Sequence, residues 1–123
     1  MAKKKIFISS VQSEFASERK MLYDYIITDV LLGRFFEPFI FEILPAKSTK
    51  ADEAYLKQVG QSDIYLGIFG CQYGYEDRKG ISPTEHEFNE ALKENKTKLV
   101  FISSHKTAER HPKEQKLIAK AEQ

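Results

Sequence analysis

The seven residues Ile64-Tyr65-Leu66-Gly67-Ile68-Phe69-Gly70 carry no charge and no polar side chain except a tyrosine hydroxyl. A run this short and apolar, rich in branched and aromatic residues, reads as a strand buried on both faces, which belongs in the middle of a sheet covered by helices. Gly70, Gly74 and Gly80 follow, and then Ser82-Pro83-Thr84-Glu85, a helix start signal, so the order is strand, long polar loop, helix. In open α/β sheets ligands bind at the carboxyl edge, where strands give way to helices. This loop is therefore the first candidate site.

The rest of the chain repeats that alternation. Lys4 to Ser9 and Leu99 to Ile102 read as further buried strands, and Pro38 to Leu44 as another, with Glu42 an unexpected charge near its end. Between them, Phe15, Met21, Leu22, Tyr25, Ile26 and Val30 recur at helical spacing, predicting a helix from Ser13 to about Leu32 that stops at Gly33. After a polar connection, Lys47 to Lys50, the stretch Ala51 to Val59 offers Ala54, Tyr55 and Val59 as a helical face, with Gly60 as its cap. Pro83 to about Asn95 places Thr84, Phe88, Ala91 and Leu92 on one face, and Pro112 to Gln123 repeats the rhythm with Leu117, Ile118 and Ala121.

Strict alternation of buried strands with helices implies a parallel sheet with right-handed crossovers. The expectation is a flavodoxin-like three-layer α/β sandwich of strand order 2-1-3-4, forming a single domain over residues 1–123. Its last edge would be poorly covered, which suggests the N-terminal part of a longer protein.

Composition excludes more than it selects. Nineteen Lys and Arg against eighteen Asp and Glu give no general polyanion-binding surface, so nucleic acid is not indicated. One cysteine, Cys71, cannot form an internal disulfide, and no stretch approaches the roughly 20 apolar residues of a membrane span, so a cytoplasmic protein with no membrane partner is expected. Neither a GxGxxG nor a GxxxxGK[ST] pattern is present. The three histidines, His86, His105 and His111, are dispersed, and Cys71 has no cysteine partner at ligand spacing, so neither metal nor cofactor is expected.

Three strand ends bring polar groups to one edge: Ser9-Ser10, Glu42, and the loop from Gly70 to Glu87. Glu42 is expected to pair with a lysine at the sheet edge. Gly70 and Gly74 suit sharp turns, and Tyr73 and Tyr75 either stack on a base or cover the sheet edge. Glu85 is explained by a capping box with Ser82. Glu87 is not, although both glutamates border the apolar face of their helix and geometry alone does not choose between them. A carboxylate there can attack or stabilise the cationic sugar carbon formed when an N-glycosidic bond breaks, or simply favour the helix dipole.

Several segments resemble a known family: Ile8-Ser9-Ser10-Val11-Gln12-Ser13-Glu14-Phe15, Glu18-Arg19, Ser62 to Gly70, Tyr73-Gly74 and Gly80 to Phe88. Over about Lys4 to Ser103 the chain is similar to a bacterial and eukaryotic domain of unknown function that opens many ATPase, NACHT and transcriptional-regulator chains. That family in turn resembles TIR domains and nucleoside 2-deoxyribosyltransferases, which place a catalytic glutamate on the helix after the third strand. Glu87-Phe88-Asn89-Glu90-Ala91 matches their pattern of a hydrophobic residue next and a small one four positions on. The resemblance implies Glu87 as catalytic residue and Ser9, Ser10, Gly70, Tyr73 and Glu85 as ligand-binding candidates. The ligand implied is NAD or a nucleoside whose N-glycosidic bond is cleaved. The alternative is a non-enzymatic interaction module that binds a protein partner, further domains of its own chain, or a second copy as a homo-oligomer. Two departures stand out: the chain has no tryptophan, and Lys79-Gly80-Ile81-Ser82 replaces the Asp-x-Gly-Thr of the deoxyribosyltransferases.

Overall fold

The computed structural model describes residues 2–43 and 51–123. Four strands, β1 (Lys4–Ser9), β2 (Phe36–Phe39), β3 (Ile64–Phe69) and β4 (Thr97–Ile102), form one sheet of order β2-β1-β3-β4 in which every pair is parallel. Helices α1 (Gln12–Thr28), α2 (Leu32–Phe35), α3 (Ala51–Gln61), α4 (Pro83–Lys93) and α5 (Pro112–Ala121) surround it. This is the flavodoxin-like α/β arrangement and strand order expected from the alternation.

Alternate residues of each strand divide the core in two. Phe7, Tyr65 and Phe69 point to one side, where they meet Val59 of α3, Phe88 and Ala91 of α4 and Leu117 and Ile118 of α5. Phe88 is the hub there, with its ring edge-on to Tyr65 at 5.8 Å and to Phe69 at 6.0 Å. Ile6, Ile8 and Leu66 point to the other side, against Ile26 and Leu22 of α1.

Element boundaries depart from the sequence reading in physically instructive ways. The second strand begins at Phe36 rather than Pro38 and gives way to a 3-10 turn at Phe41–Ile43, whereas Leu44 and Lys47 to Lys50 lie outside the described residues. Pro38 is tolerated inside β2 because β2 is an edge strand. Helix α1 ends at Thr28, not Leu32: Asp29 turns extended, and its carboxylate accepts from the Leu31 and Leu32 amides to start α2. Gly33 lies inside α2, where a Cβ would come within 2.7 Å of the Ile27 carbonyl. Helix α3 runs through Gly60 to Gln61; of its predicted face Val59 is buried, and the Ala54 and Tyr55 side chains lie outside the described residues. Asn95, at φ +53, closes α4 as its left-handed residue, with the Lys96 amide donating back to the Ala91 carbonyl.

The fourth strand is not buried as expected. Its register pairs Leu66 with Leu99 and Ile68 with Phe101, so Leu99 and Phe101 lie on the α1 side of the sheet, where they are 46% and 58% exposed. On that side α1 covers Leu66 of β3 but leaves Leu99 and Phe101 of β4 open. Apolar residues alone could not reveal this, because an uncovered face has the same composition as a covered one.

Candidate functional site

Helix α4 owes its start to Ser82, whose hydroxyl accepts from the Glu85 amide at 3.2 Å, with Pro83 in the first turn. Four residues of α4 are buried: Thr84, Glu87, Phe88 and Ala91, a spacing of i, i+3, i+4, i+7 that places Glu87 inside the core-facing stripe. Leu92, assigned to that face from the sequence, is 43% exposed at its margin. The fold thus separates the two glutamates that periodicity left unresolved.

Ser9 ends β1 beneath this stripe, fully buried, and its hydroxyl donates to Glu87 Oε1 at 2.6 Å. Burial pushes the Glu87 carboxyl up to about 7, against the hydrogen bond from Ser9 and the charge of Arg19, which pull it down, while Glu42 adds to the rise. The Tyr65 hydroxyl lies near enough to Ser9 to sense it, but its geometry falls short of a hydrogen bond to any described residue. A polar hydroxyl without a partner therefore sits buried beside the Ser9–Glu87 pair.

Arg19 is the site residue to which the sequence reading assigned no role. It occupies the core-facing stripe of α1, four residues after Phe15 and three before Leu22, and it is 2% exposed. Its Nε and Nη2 donate to the two carboxylate oxygens of Glu42, each at 2.8 Å, and Nη1 donates to Ser10 Oγ at 2.9 Å. A charge at an apolar position of an amphipathic helix was the available signal. Glu42 pairs with this arginine, not with an edge lysine. Partial burial raises its carboxyl, but the hydrogen bonds and charge of Arg19 outweigh burial and hold it below the usual value.

Ser10, Arg19, Glu42 and Glu87 line one cavity of about 580 Å³ at the carboxyl edge, within the size range of small-molecule sites, with Ser9 behind its wall. Ser10, Val11, Ala16 and Arg19 come from the β1–α1 segment, Phe41 and Glu42 follow β2, Gly74 and Tyr75 belong to the loop after β3, and Pro83, Thr84 and Glu87 open α4. A second cavity, about 480 Å³, lies by Lys3, Lys5, Phe36 and Glu37, and none of its titratable groups is buried. Buried titratable groups, Arg19 and Glu87, line the first.

The remaining candidates fall outside that lining. Tyr73 is 3% exposed; its hydroxyl donates to Glu85 Oε1 at 2.6 Å and accepts from the Ser82 amide at 3.2 Å, and its ring stacks on His111. It therefore replaces the returning half of the expected capping box: Ser82 and Glu85 communicate through the tyrosine. Burial and the Glu85 hydrogen bond push the Tyr73 hydroxyl up to about 12. The tyrosine that lines the cavity is Tyr75, 76% exposed. Glu85 also takes a 2.7 Å ion pair from Lys120. Gly74 has φ +89, as a sharp turn requires, but Gly70 is fixed by close approach: a Cβ there would strike the Glu14 carboxylate and come within 2.7 Å of Phe15 Cζ.

A buried carboxyl poised near neutrality, braced by a serine and facing a cavity with a fixed guanidinium, can donate or accept a proton or attack an electrophilic carbon. Among the described residues no helix is long and apolar enough to cross a membrane. No curated protein and no solved structure matches this chain. One family model matches residues 5–123, so the chain belongs to the family described as Domain of unknown function (DUF4062).

Proposed function

We propose that this domain binds a nucleoside-like ligand, NAD or a free nucleoside, at the carboxyl edge and cleaves its N-glycosidic bond, with Glu87 as the reacting carboxylate. The observation that carries the reading is the buried Glu87 carboxyl in the cavity wall, held at Oε1 by Ser9. Once ionised, it faces or captures the sugar carbon as the base departs with the bonding electrons, and water completes the hydrolysis. Glu42, fixed from behind by Arg19, offers a carboxylate to ribose hydroxyls, and Tyr75 with Val11 and Phe41 offers an apolar and aromatic surface to the base. This is the role that TIR-like and deoxyribosyltransferase-like relatives would imply for an N-terminal sensing or effector domain of a larger ATPase, NACHT or regulator chain.

The test is chromatographic detection of base released from NAD and from deoxynucleosides. Wild type should release base, and Glu87→Gln should lower turnover by orders of magnitude, because the amide keeps the shape and loses the charge. Absence of both binding and release in wild type overturns the proposal.

The exposed Leu99 and Phe101 of β4 favour a second reading, a non-enzymatic interaction module. Met21 and Tyr25, four positions apart on α1, share one face of that helix. Both are more than half exposed, as is Phe101. In that reading Phe101→Ser keeps the fold and abolishes association with a partner domain or a second copy, measured by sedimentation.

A further inference from the structure

We propose that Cys71, His105 and Glu109 form a zinc site that joins the loop after β3 to the loop after β4. The three residues are scattered in the sequence and show no ligand spacing, yet their donor atoms lie within 4.8 Å of one another. A tetrahedral zinc with thiolate, imidazole and carboxylate ligands has donors about 3.3–3.8 Å apart, as its bond lengths of about 2.0–2.3 Å require. A closure of at most about 1.5 Å therefore suffices.

The backbone that carries these ligands is already tied together. Arg110 donates from Nη1 to the Gly70 carbonyl at 2.6 Å and from Nη2 to the Ser103 and His105 carbonyls at 2.6 and 2.9 Å. The His111 amide donates to the Cys71 carbonyl at 2.8 Å, and the Ser103 amide to the Phe69 carbonyl at 2.9 Å. Both ligand loops are thus fixed to each other before any ion arrives, which lowers the ordering cost of binding.

The outer shell fits as well. Ser103 Oγ lies 2.8 Å from His105 Nδ1 and also accepts from Arg110 Nη1 at 3.2 Å. With Nδ1–H donating to Ser103, the Nε2 lone pair is left as the metal ligand, the usual arrangement behind a zinc-bound histidine. A mixed sulfur, nitrogen and oxygen set selects zinc over the hard cations calcium and magnesium, and three protein ligands leave a fourth position to water. The site is separate from the Glu87 cavity and does not depend on the function proposed for it.

Metal-free protein titrated with Zn²⁺ against a chromophoric chelator should bind a single equivalent, and Co²⁺ should give a thiolate charge-transfer band. Cys71→Ser should abolish the band, and it, His105→Ala and Glu109→Gln should each weaken Zn²⁺ binding at least about tenfold. His86→Ala, whose ring meets Asp77 elsewhere, should change nothing. Alkylation of Cys71 in the wild-type chain gives a readout that needs no variant: Zn²⁺ should slow it strongly. No cobalt–thiolate band, an alkylation rate indifferent to Zn²⁺, or undiminished affinity in the three variants would each overturn the site.

Discussion

Ser9 and Glu87, 78 residues apart in sequence, meet at 2.6 Å because the end of β1 lies directly beneath the first turns of α4. The parallel sheet makes this meeting unavoidable, since crossovers return every strand end to the same edge. The glutamate is buried without a full counter-charge of its own, because Arg19 is already engaged bidentately by Glu42. Folding therefore holds a carboxyl in an environment that opposes its ionisation.

That burden has a pH signature. The Glu87 carboxyl rises on folding from 4.5 to about 7, so the native state binds its proton more tightly than the unfolded chain, and stability falls as pH climbs through that window. The penalty above neutrality is on the order of 3 kcal/mol. Glu87→Gln cannot ionise, so denaturant unfolding from pH 4.5 to 8 should show a smaller decline than wild type. Glu114 is also pushed by burial to about 7, but it is present in both proteins, so the difference between the two curves isolates Glu87. Parallel curves would show that Glu87 is not held as the structure has it.

Arg19 and Glu42 behave as one unit. Glu42→Gln leaves a guanidinium of 2% exposure without its anionic partner, and stability should drop by roughly 1–3 kcal/mol in chemical denaturation. Arg19→Lys retains the charge but cannot form the two-pronged contact or reach Ser10 at the same time, so it should be destabilising too. If either variant unfolds like wild type, the pair contributes only its geometry.

Two glycines should respond to alanine in opposite senses. At Gly70 the added methyl meets the Glu14 carboxylate and the Phe15 ring, near the point where α1 is already distorted at φ −120, and a loss of about 1–3 kcal/mol is expected. At Gly60, inside α3, nothing among the described residues lies within 4 Å of the new atom, so Gly60→Ala should stabilise by up to about 1 kcal/mol. Thermal unfolding of both variants checks the pair.

How much of this could be read in advance depends on how local the signal is. The strands, their parallel order and the start of α4 at Ser82-Pro83 were legible, because uncharged runs and capping residues act within a few positions. Glu87 could be suspected from the sequence, but not seen to be buried, until Ser9 and the sheet were in place. Arg19, the Tyr73 bridge between Ser82 and Glu85, and the exposure of Leu99 and Phe101 were not legible, because each depends on which element lies across the sheet. The same is true of Cys71, His105 and Glu109, which converge because β3 and β4 are neighbours and Arg110 and the His111 amide tie their loops together.

Glu85 should give the mirror image of Glu87, although only one residue separates them on α4. Burial alone would raise its carboxyl, but hydrogen bonds from Lys120 at 2.7 Å and Tyr73 at 2.6 Å, with the lysine charge, outweigh burial and hold it below the ordinary 4.5. The ionised form is thus favoured in the folded state, so its stabilisation is present above the unfolded value and is lost as pH falls through the depressed one. Glu85→Gln should be less stable than wild type at neutral pH, by about 1 kcal/mol after allowance for the partly exposed Lys120, with the gap closing as pH falls through the lowered value. Tyr73→Phe should lose part of the same contribution, since the phenol hydroxyl also satisfies the Ser82 amide. Neither change touches the cavity wall, so ligand binding and base release should remain at wild-type levels. Stability curves that move like those of Glu87→Gln, or activity lost on replacing Glu85, would mean that the chemistry had been placed on the wrong glutamate.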